Sequence, residues 1–140
     1  MRKPLHLVAV AALLVASFAA APGVLAQTAM LDGRAFVADA GPKGKAADEK
    51  GDLITFADGQ FHSKMCDQYG YGKGAYKATK VGDTIEWEAV TTSEKDGKNV
   101  WKGTIRGSDI EGTLMHHPKG WFLNPDPSPE EIWFKGKARS

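Results

Sequence analysis

The chain has 140 residues, of which 42% are hydrophobic and 25% charged, and its formal net charge is +1. Because the charge is nearly balanced, there is no electrostatic reason to expect nucleic acid or an anionic membrane as a partner. The single cysteine, Cys66, excludes an intramolecular disulfide, so the fold must be stabilised by its core.

The first 26 residues have the three-part pattern of a secretory signal peptide. Arg2 and Lys3 give a positive start, residues 5–21 form an apolar stretch, and residues 24–26 supply a small-residue cleavage site. An uncleaved anchor is the alternative, because the apolar stretch is long. We predict cleavage and a periplasmic or secreted protein.

Cleavage would leave one domain, residues 27–140, with no membrane span. Loss of Arg2 and Lys3 leaves 16 basic and 17 acidic residues, a net charge near −1. A chain of this length suits a single domain with a modest core.

The first part of this domain alternates between strand and loop signals. Residues 31–38 read as a strand, and residues 41–51 as a polar, turn-rich surface loop. Residues 67–74 form a glycine-rich loop that carries Tyr69 and Tyr71. We expect these tyrosines either to cap a barrel mouth or, exposed, to contact a ligand or a protein partner.

Residues 52–65 are typical of a hairpin between these loops. Asp58-Gly59 is a sequence for a two-residue type I′ turn, and it places Phe56 opposite Phe61. In an oxidising compartment a lone thiol is either buried or paired between molecules, and we favour burial of Cys66.

A β-meander follows over residues 74–116. Turns at Gly82-Asp83 and Gly107-Ser108 suit type II′ geometry, and the second places Trp101 opposite Leu114. With this register one face is apolar and the other charged, as a half-buried antiparallel pair requires.

The middle hairpin of the meander admits two registers. A two-residue turn at Asp96-Gly97 would leave Trp87 outside, whereas a three-residue loop over 95–97 pairs Trp87 with Ile105. Since a slip of one residue turns every side chain to the opposite face, we predict the three-residue loop, with Gly97 in the left-handed conformation.

The prolines in residues 124–129 exclude a central strand, and residues 131–139 form the last strand. The fold class is therefore all-β, with eight antiparallel strands in up-and-down order, most simply closed into a barrel. Inward-facing Gly103, Gly112 and Gly136 favour closure. An open sheet or sandwich is the alternative.

The spacing of the reactive residues does not favour a metal site or a catalytic site. In one strand, His62 and Cys66 would be about 13 Å apart, too far to share an ion. Adjacent His116 and His117 point to opposite faces, so only His116 enters the interior. We expect no metal site, no catalytic triad and no cofactor, with haem a minor possibility and enzyme activity disfavoured.

The chain resembles lipocalin-like (calycin-type) β-barrels, and among them small exported bacterial proteins. The likeness rests on Phe56-x-Asp-Gly-x-Phe61-x-Ser63, Trp101-x-Gly-Thr104 and Trp133-Phe-x-Gly136, with Leu31-Asp-Gly-Arg-Ala-Phe36 at the start. It implies a ligand held inside the barrel.

We accordingly predict an exported binding module for a small apolar or amphipathic molecule. A solid barrel that acts through a protein partner, at the Tyr69/Tyr71 loop or at residues 121–129, is the alternative. An eight-stranded barrel can either fill its interior or hold a ligand. The interior residues predicted to bind the ligand are Phe56, Phe61, Tyr76, Trp87, Trp101, Leu114, His116 and Phe134.

Overall fold

The computed structural model describes residues 29–140, so the predicted signal peptide, residues 1–26, lies outside the described residues. Eight antiparallel strands follow one another in sequence order and close into a barrel, which confirms the predicted fold class. The strands are β1 (Ala35–Pro42), β2 (Glu49–Ala57), β3 (Gln60–Ser63), β4 (Gly74–Val81), β5 (Thr84–Ser93), β6 (Gly97–Arg106), β7 (Asp109–Pro118) and β8 (Glu130–Ala138).

Closure depends on the pairing of the first strand with the last. In this pairing Phe36 lies opposite Ala138 and Ala38 opposite Gly136, which excludes the open sheet. The backbones approach closely here, because a Cβ built on Gly136 would lie only 2.6 Å from the Cα of Ala38. Glycine is therefore needed at this position of the seam.

Three of the predicted hairpins have the expected register. Phe56 lies opposite Phe61, Ala78 opposite Trp87, and Trp101 opposite Leu114. Asp58 and Gly59 both have positive φ, 54° and 72°, as a type I′ turn requires. In these hairpins the turn residues alone determine which side chains face inward.

The predicted register of the β5–β6 hairpin is wrong by two residues. The loop has three residues but spans 94–96, so that Trp87 lies opposite Gly103 instead of Ile105. The indole of Trp87 occupies the space that a side chain at Gly103 would need, since a Cβ there would lie 2.8 Å from the ring. Gly97 has φ of 130°, not the left-handed value, and begins β6.

Three predicted boundaries also differ. The first strand runs over 35–42, not 31–38, and the loop predicted at 41–51 is shortened to 43–48. The hairpin predicted to reach Met65 ends at Ser63, where a 3₁₀ helix, Met65–Tyr69, follows. Cys66 therefore lies on this helix and not in a strand, which removes the extended spacing from His62.

The two ends of the barrel differ in their connections. What we call the closed end carries the turn at 29–33 and the tight turns at 58–59, 82–83 and 107–108. What we call the open end carries the longer connections 43–48, 64–73, 94–96 and 119–129.

The closed end is sealed by the segment before β1. Leu31 is fully buried, and its backbone N–H donates to the Tyr76 hydroxyl over 3.0 Å. That hydroxyl donates in turn to Oδ1 of Asp32 over 2.8 Å, and the guanidinium of Arg34 lies 5.1 Å from the centre of the Phe36 ring. Burial and the Asp32 carboxylate raise the pKa of Tyr76 to about 12.

Candidate functional site

The half of the barrel nearer the closed end is filled by aromatic rings. Phe56 makes edge contacts with Phe36, Tyr76 and Trp87, with ring centres 5.0 to 6.3 Å apart. These separations are typical of packed aromatic pairs. The rings therefore pack directly against one another.

The space between the two inward tryptophans is occupied as well. Phe61 lies 5.2 Å from the Trp87 ring and 4.7 Å from the Trp101 ring, and Phe134 contacts both, at 5.8 and 5.5 Å. Trp87 Nε1 is buried without a hydrogen-bond partner. The deep interior is therefore a packed core.

Beyond Trp101, toward the open end, the interior widens into a cavity of about 680 Å³. Trp101 and Leu114 are buried at its base, and Ile132 adds to the apolar wall. The remaining lining comes from every strand except β4 and β5, and from the 43–48 connection, the 3₁₀ helix, the following loop and the β5–β6 loop. A volume of this size suits a small molecule.

A buried carboxylate faces this cavity from β2. Asp52 is only 8% exposed, and it accepts a hydrogen bond from Ser63 Oγ and one from the Met65 backbone N–H, the latter over 2.9 Å. Both donors are neutral. Ion pairs found within residues 29–140 do not include Asp52.

A second polar group stands across the cavity. His116 Nδ1 lies 2.8 Å from Asn99 Oδ1 and 3.3 Å from the Tyr71 hydroxyl. On the other side of the ring, Nε2 is turned toward Asp96, 3.9 Å from its Oδ2. The network holds His116 at the cavity rim with a defined orientation.

Tyr71 belongs to the cavity and not to the surface. It is 4% exposed, whereas Tyr69 is 44% exposed. Burial, together with the Asp96 carboxylate, raises the pKa of Tyr71. Tyr71 folds over the open end as a neutral phenol, which is the capping arrangement considered from the sequence.

Cys66 also lines the cavity. It is half-buried and free, and its sulfur lies 4.0 Å from Asn99 Nδ2. Burial, with smaller contributions from Asp52, Asp67 and Asp96, raises the pKa of the Cys66 thiol to about 11. The thiol is thus protonated near neutral pH and is a weak nucleophile.

The rim of the cavity is acidic. Six carboxylates line it against two lysines, and Lys43 is already paired with Glu131 over 2.8 Å. The six are Asp48, Glu49, Asp52, Asp96, Glu130 and Glu131.

The eight predicted ligand-binding residues divide between the core and the cavity. Trp101, Leu114 and His116 line the cavity. The other five are buried in the aromatic core and do not border it, namely Phe56, Phe61, Tyr76, Trp87 and Phe134.

Sequence reasoning missed the acidic residues of the cavity wall. Asp52 was assigned only to the start of a strand, although its spacing of two and four residues from Ile54 and Phe56 already placed it on the inward face. Asp96 was assigned only to a turn. No local signal shows that the 64–73 connection folds inward and brings Tyr71 to His116.

A second, broader depression of about 850 Å³ lies on the outer surface of β4 to β8. Its rim consists of side chains that alternate in charge, such as Lys77 and Glu88, which are opposite each other across β4 and β5. Glu86 and Glu88 are exposed there. This depression is the solvent-exposed face of the sheet, and its polar side chains are of mixed charge.

The open end also carries an exposed apolar turn. Trp121 and Asn124 exchange two backbone hydrogen bonds of 2.9 Å, which place Phe122 and Leu123 at the tip. Phe122 is 94% exposed and Leu123 is 72% exposed. We call residues 121–124 the apolar turn.

Within residues 29–140, no group of three or more His, Cys, Asp or Glu side chains is arranged to hold a metal ion. Across the same residues, no helix has the length and apolar character needed to cross a membrane.

Comparison with known proteins found no family model, no curated protein and no solved structure that matches this chain.

Proposed function

We propose that the chain is an exported, lipocalin-like binding module that takes a small apolar or amphipathic ligand into the open-end cavity. The observation that carries this proposal is the cavity itself, about 680 Å³, with an apolar base and a few convergent polar groups. Concave sites of this kind are typical of small-molecule binding. The aromatic core beneath it acts as a rigid floor, and the ligand occupies the mouth.

Binding can be tested with a neutral fluorescent probe, N-phenyl-1-naphthylamine. We expect saturable binding at one site, weakened about tenfold or more by Ile132→Trp, which fills part of the cavity. Val90→Trp is the matched control, because Val90 is 46% exposed and lies outside the cavity. Equal weakening by both variants, or no saturable binding, would contradict the proposal.

Native mass spectrometry of the protein purified from its own host gives an independent test. The proposal predicts a mass increment that is retained in gentle conditions and lost in the Ile132→Trp variant. Export predicts that the same preparation begins at Gln27, since cleavage is expected after Ala26. A mature protein that begins at Met1 would contradict the predicted processing.

The apolar turn favours the alternative function, a barrel that presents a loop to a protein partner. Solitary exposed apolar residues are common, but two adjacent large side chains at the tip of a turn form a compact contact. The Tyr69/Tyr71 loop is less suitable, because Tyr71 is buried.

This alternative is tested with a tagged full chain carrying Phe122→Ser and Leu123→Ser. Loss of a copurifying protein that Val37→Ser retains would favour it, since Val37 is also exposed, at 44%, but lies on β1. Recovery of the same proteins with all variants would exclude the apolar turn as the contact.

A further inference from the structure

We propose that the ligand of the open-end cavity is a cation, an amine attached to an apolar alkyl or aryl body. This inference rests on the proposed binding function and adds the chemical class of the ligand.

First, the charge of Asp52 has no partner of opposite sign within residues 29–140. Its carboxylate is buried at 8% exposure, lines the cavity, and is held by the neutral donors of Ser63 and Met65. Buried charges are normally paired, because hydrogen bonds from neutral groups offset only part of the cost of removing an ion from water. Within residues 29–140 no lysine, arginine or histidine nitrogen lies within 4 Å of it. A bound ammonium group would supply the missing counter-charge.

The second argument is the sign of the surrounding potential. Six carboxylates line the cavity against Lys43 and Lys45, and Lys43 is engaged by Glu131. A concave site lined mostly by one sign of charge concentrates its potential and attracts ligands of the opposite sign. An anionic amphiphile would instead be repelled by the rim.

The third argument is the chemistry of the walls. Trp101 and Leu114 at the base, with Ile132, provide apolar contact for a ligand body. Tyr69 and Tyr71 also line the cavity, and aromatic faces attract cations. Tyr71 keeps its hydroxyl neutral because its pKa is raised by burial, so it adds no negative charge to the wall.

Three probes of equal chain length separate charge from apolar contact: decylamine, decanol and decanoate. Protein recovered from cells that express the full chain is titrated at pH 7 by calorimetry, below the micelle-forming concentrations. We expect decylamine to bind about tenfold or more tightly than decanol, with decanoate weakest. Asp52→Asn should abolish the preference for the amine while the affinity for decanol changes by less than about threefold.

Two further variants keep the test valid in case Asp52→Asn does not fold. Asp96→Asn, at the rim, should weaken decylamine by a smaller factor than Asp52→Asn, because Asp96 is more exposed. Asp83→Asn is the matched control, since Asp83 lies in the closed-end turn and is not part of the cavity. It should leave all three affinities unchanged.

The outcomes distinguish this inference from the function on which it rests. If the three probes bind equally, or if the preference for decylamine survives in both Asp52→Asn and Asp96→Asn, the inference of a cationic ligand is overturned and the binding function stands. If no probe binds at millimolar concentration, both are overturned.

Discussion

The closed and open halves of this barrel are built from the same strands but are filled in different ways. Along β6, Ile105 lies in the hydrophobic core, Trp101 forms part of the apolar base of the cavity, and Asn99, the next inward residue, adds a polar group to the cavity wall. Along β7 the same change occurs between Leu114 and His116. On each of these strands the apolar base and the first polar residue of the cavity wall are therefore only two residues apart.

If the open-end cavity binds a ligand as proposed, stability and recognition are separated along the barrel axis. The closed half holds most of the buried apolar surface, while the open half holds the buried polar groups, including Asp52 and Asn99. Polar groups that converge on a cavity usually orient a ligand. Substitutions should therefore affect unfolding in one half and binding in the other.

The largest effect is expected from Phe61→Ala. Phe61 is fully buried and contacts the rings of Phe56, Trp87 and Trp101. Its removal leaves a cavity in a packed core, and we expect the free energy of unfolding in urea to fall by about 3–5 kcal/mol. A loss below about 1 kcal/mol would show that the closed half is loosely packed.

A smaller loss is expected from Gly103→Ala. The added Cβ would lie 2.8 Å from the Trp87 ring, so the core must shift, at a cost of about 1–3 kcal/mol in the free energy of unfolding. Gly72→Ala is the control, because Gly72 has open space around its Cβ position and no positive φ. Equal effects of the two substitutions would argue against the observed pairing of Trp87 with Gly103.

Alkaline pH should lower the free energy of unfolding in overlapping windows, because buried thiol and phenol groups lose their protons more readily in the unfolded chain. The pKa of Cys66, at the open end, is raised from 9.0 to about 11, so the unfolded chain releases this proton first and stability falls between pH 9 and pH 11. The pKa of Tyr76, at the closed end, is raised from 10.0 to about 12, which gives a fall between pH 10 and pH 12.

Urea unfolding as a function of pH checks these windows. Cys66→Ala should remove the part of the decline that begins near pH 9, and Tyr76→Phe should reduce the later part, to which Tyr71 also contributes because its pKa is raised by burial. If Cys66→Ala leaves the curve unchanged from pH 9 to 11, the thiol is not protected by the fold.

The smallest effect is expected from Phe122→Ala, which makes the same change as Phe61→Ala at a different place. Phe122 is 94% exposed at the tip of the apolar turn, so the free energy of unfolding should change by less than about 0.5 kcal/mol. A larger loss, measured by the same urea unfolding, would mean that the apolar turn packs against the barrel.

The hairpins and the closed half were largely predictable from the sequence because their information is local. Asp58-Gly59 and Gly107-Ser108 each determine a turn type, and the turn determines the register of both strands. The closing pairing of β1 with β8 followed from eight consecutive strands, with Gly136 at the inward position where the backbones meet.

The open half was less predictable because its geometry depends on distant residues. The β5–β6 loop shifts to 94–96, where Ser93 Oγ accepts from the Asp96 N–H and donates to the Tyr69 carbonyl over 2.7 Å. That second contact joins positions 24 residues apart in the chain. The inward fold of Tyr71 onto His116 is equally non-local, so turn and periodicity rules could not place either.

The proposed binding function requires that a ligand enters beside Trp101 and stops above Trp87. The indole N–H signals of the tryptophans can be followed by ¹H–¹⁵N NMR during a titration with decylamine, after assignment with single Trp→Phe variants. We predict that the Trp101 signal shifts with saturation and that the Trp87 signal does not. A shift of Trp87 comparable to that of Trp101, or no shift of Trp101 at saturating decylamine, would contradict a solid closed half beneath an open binding cavity.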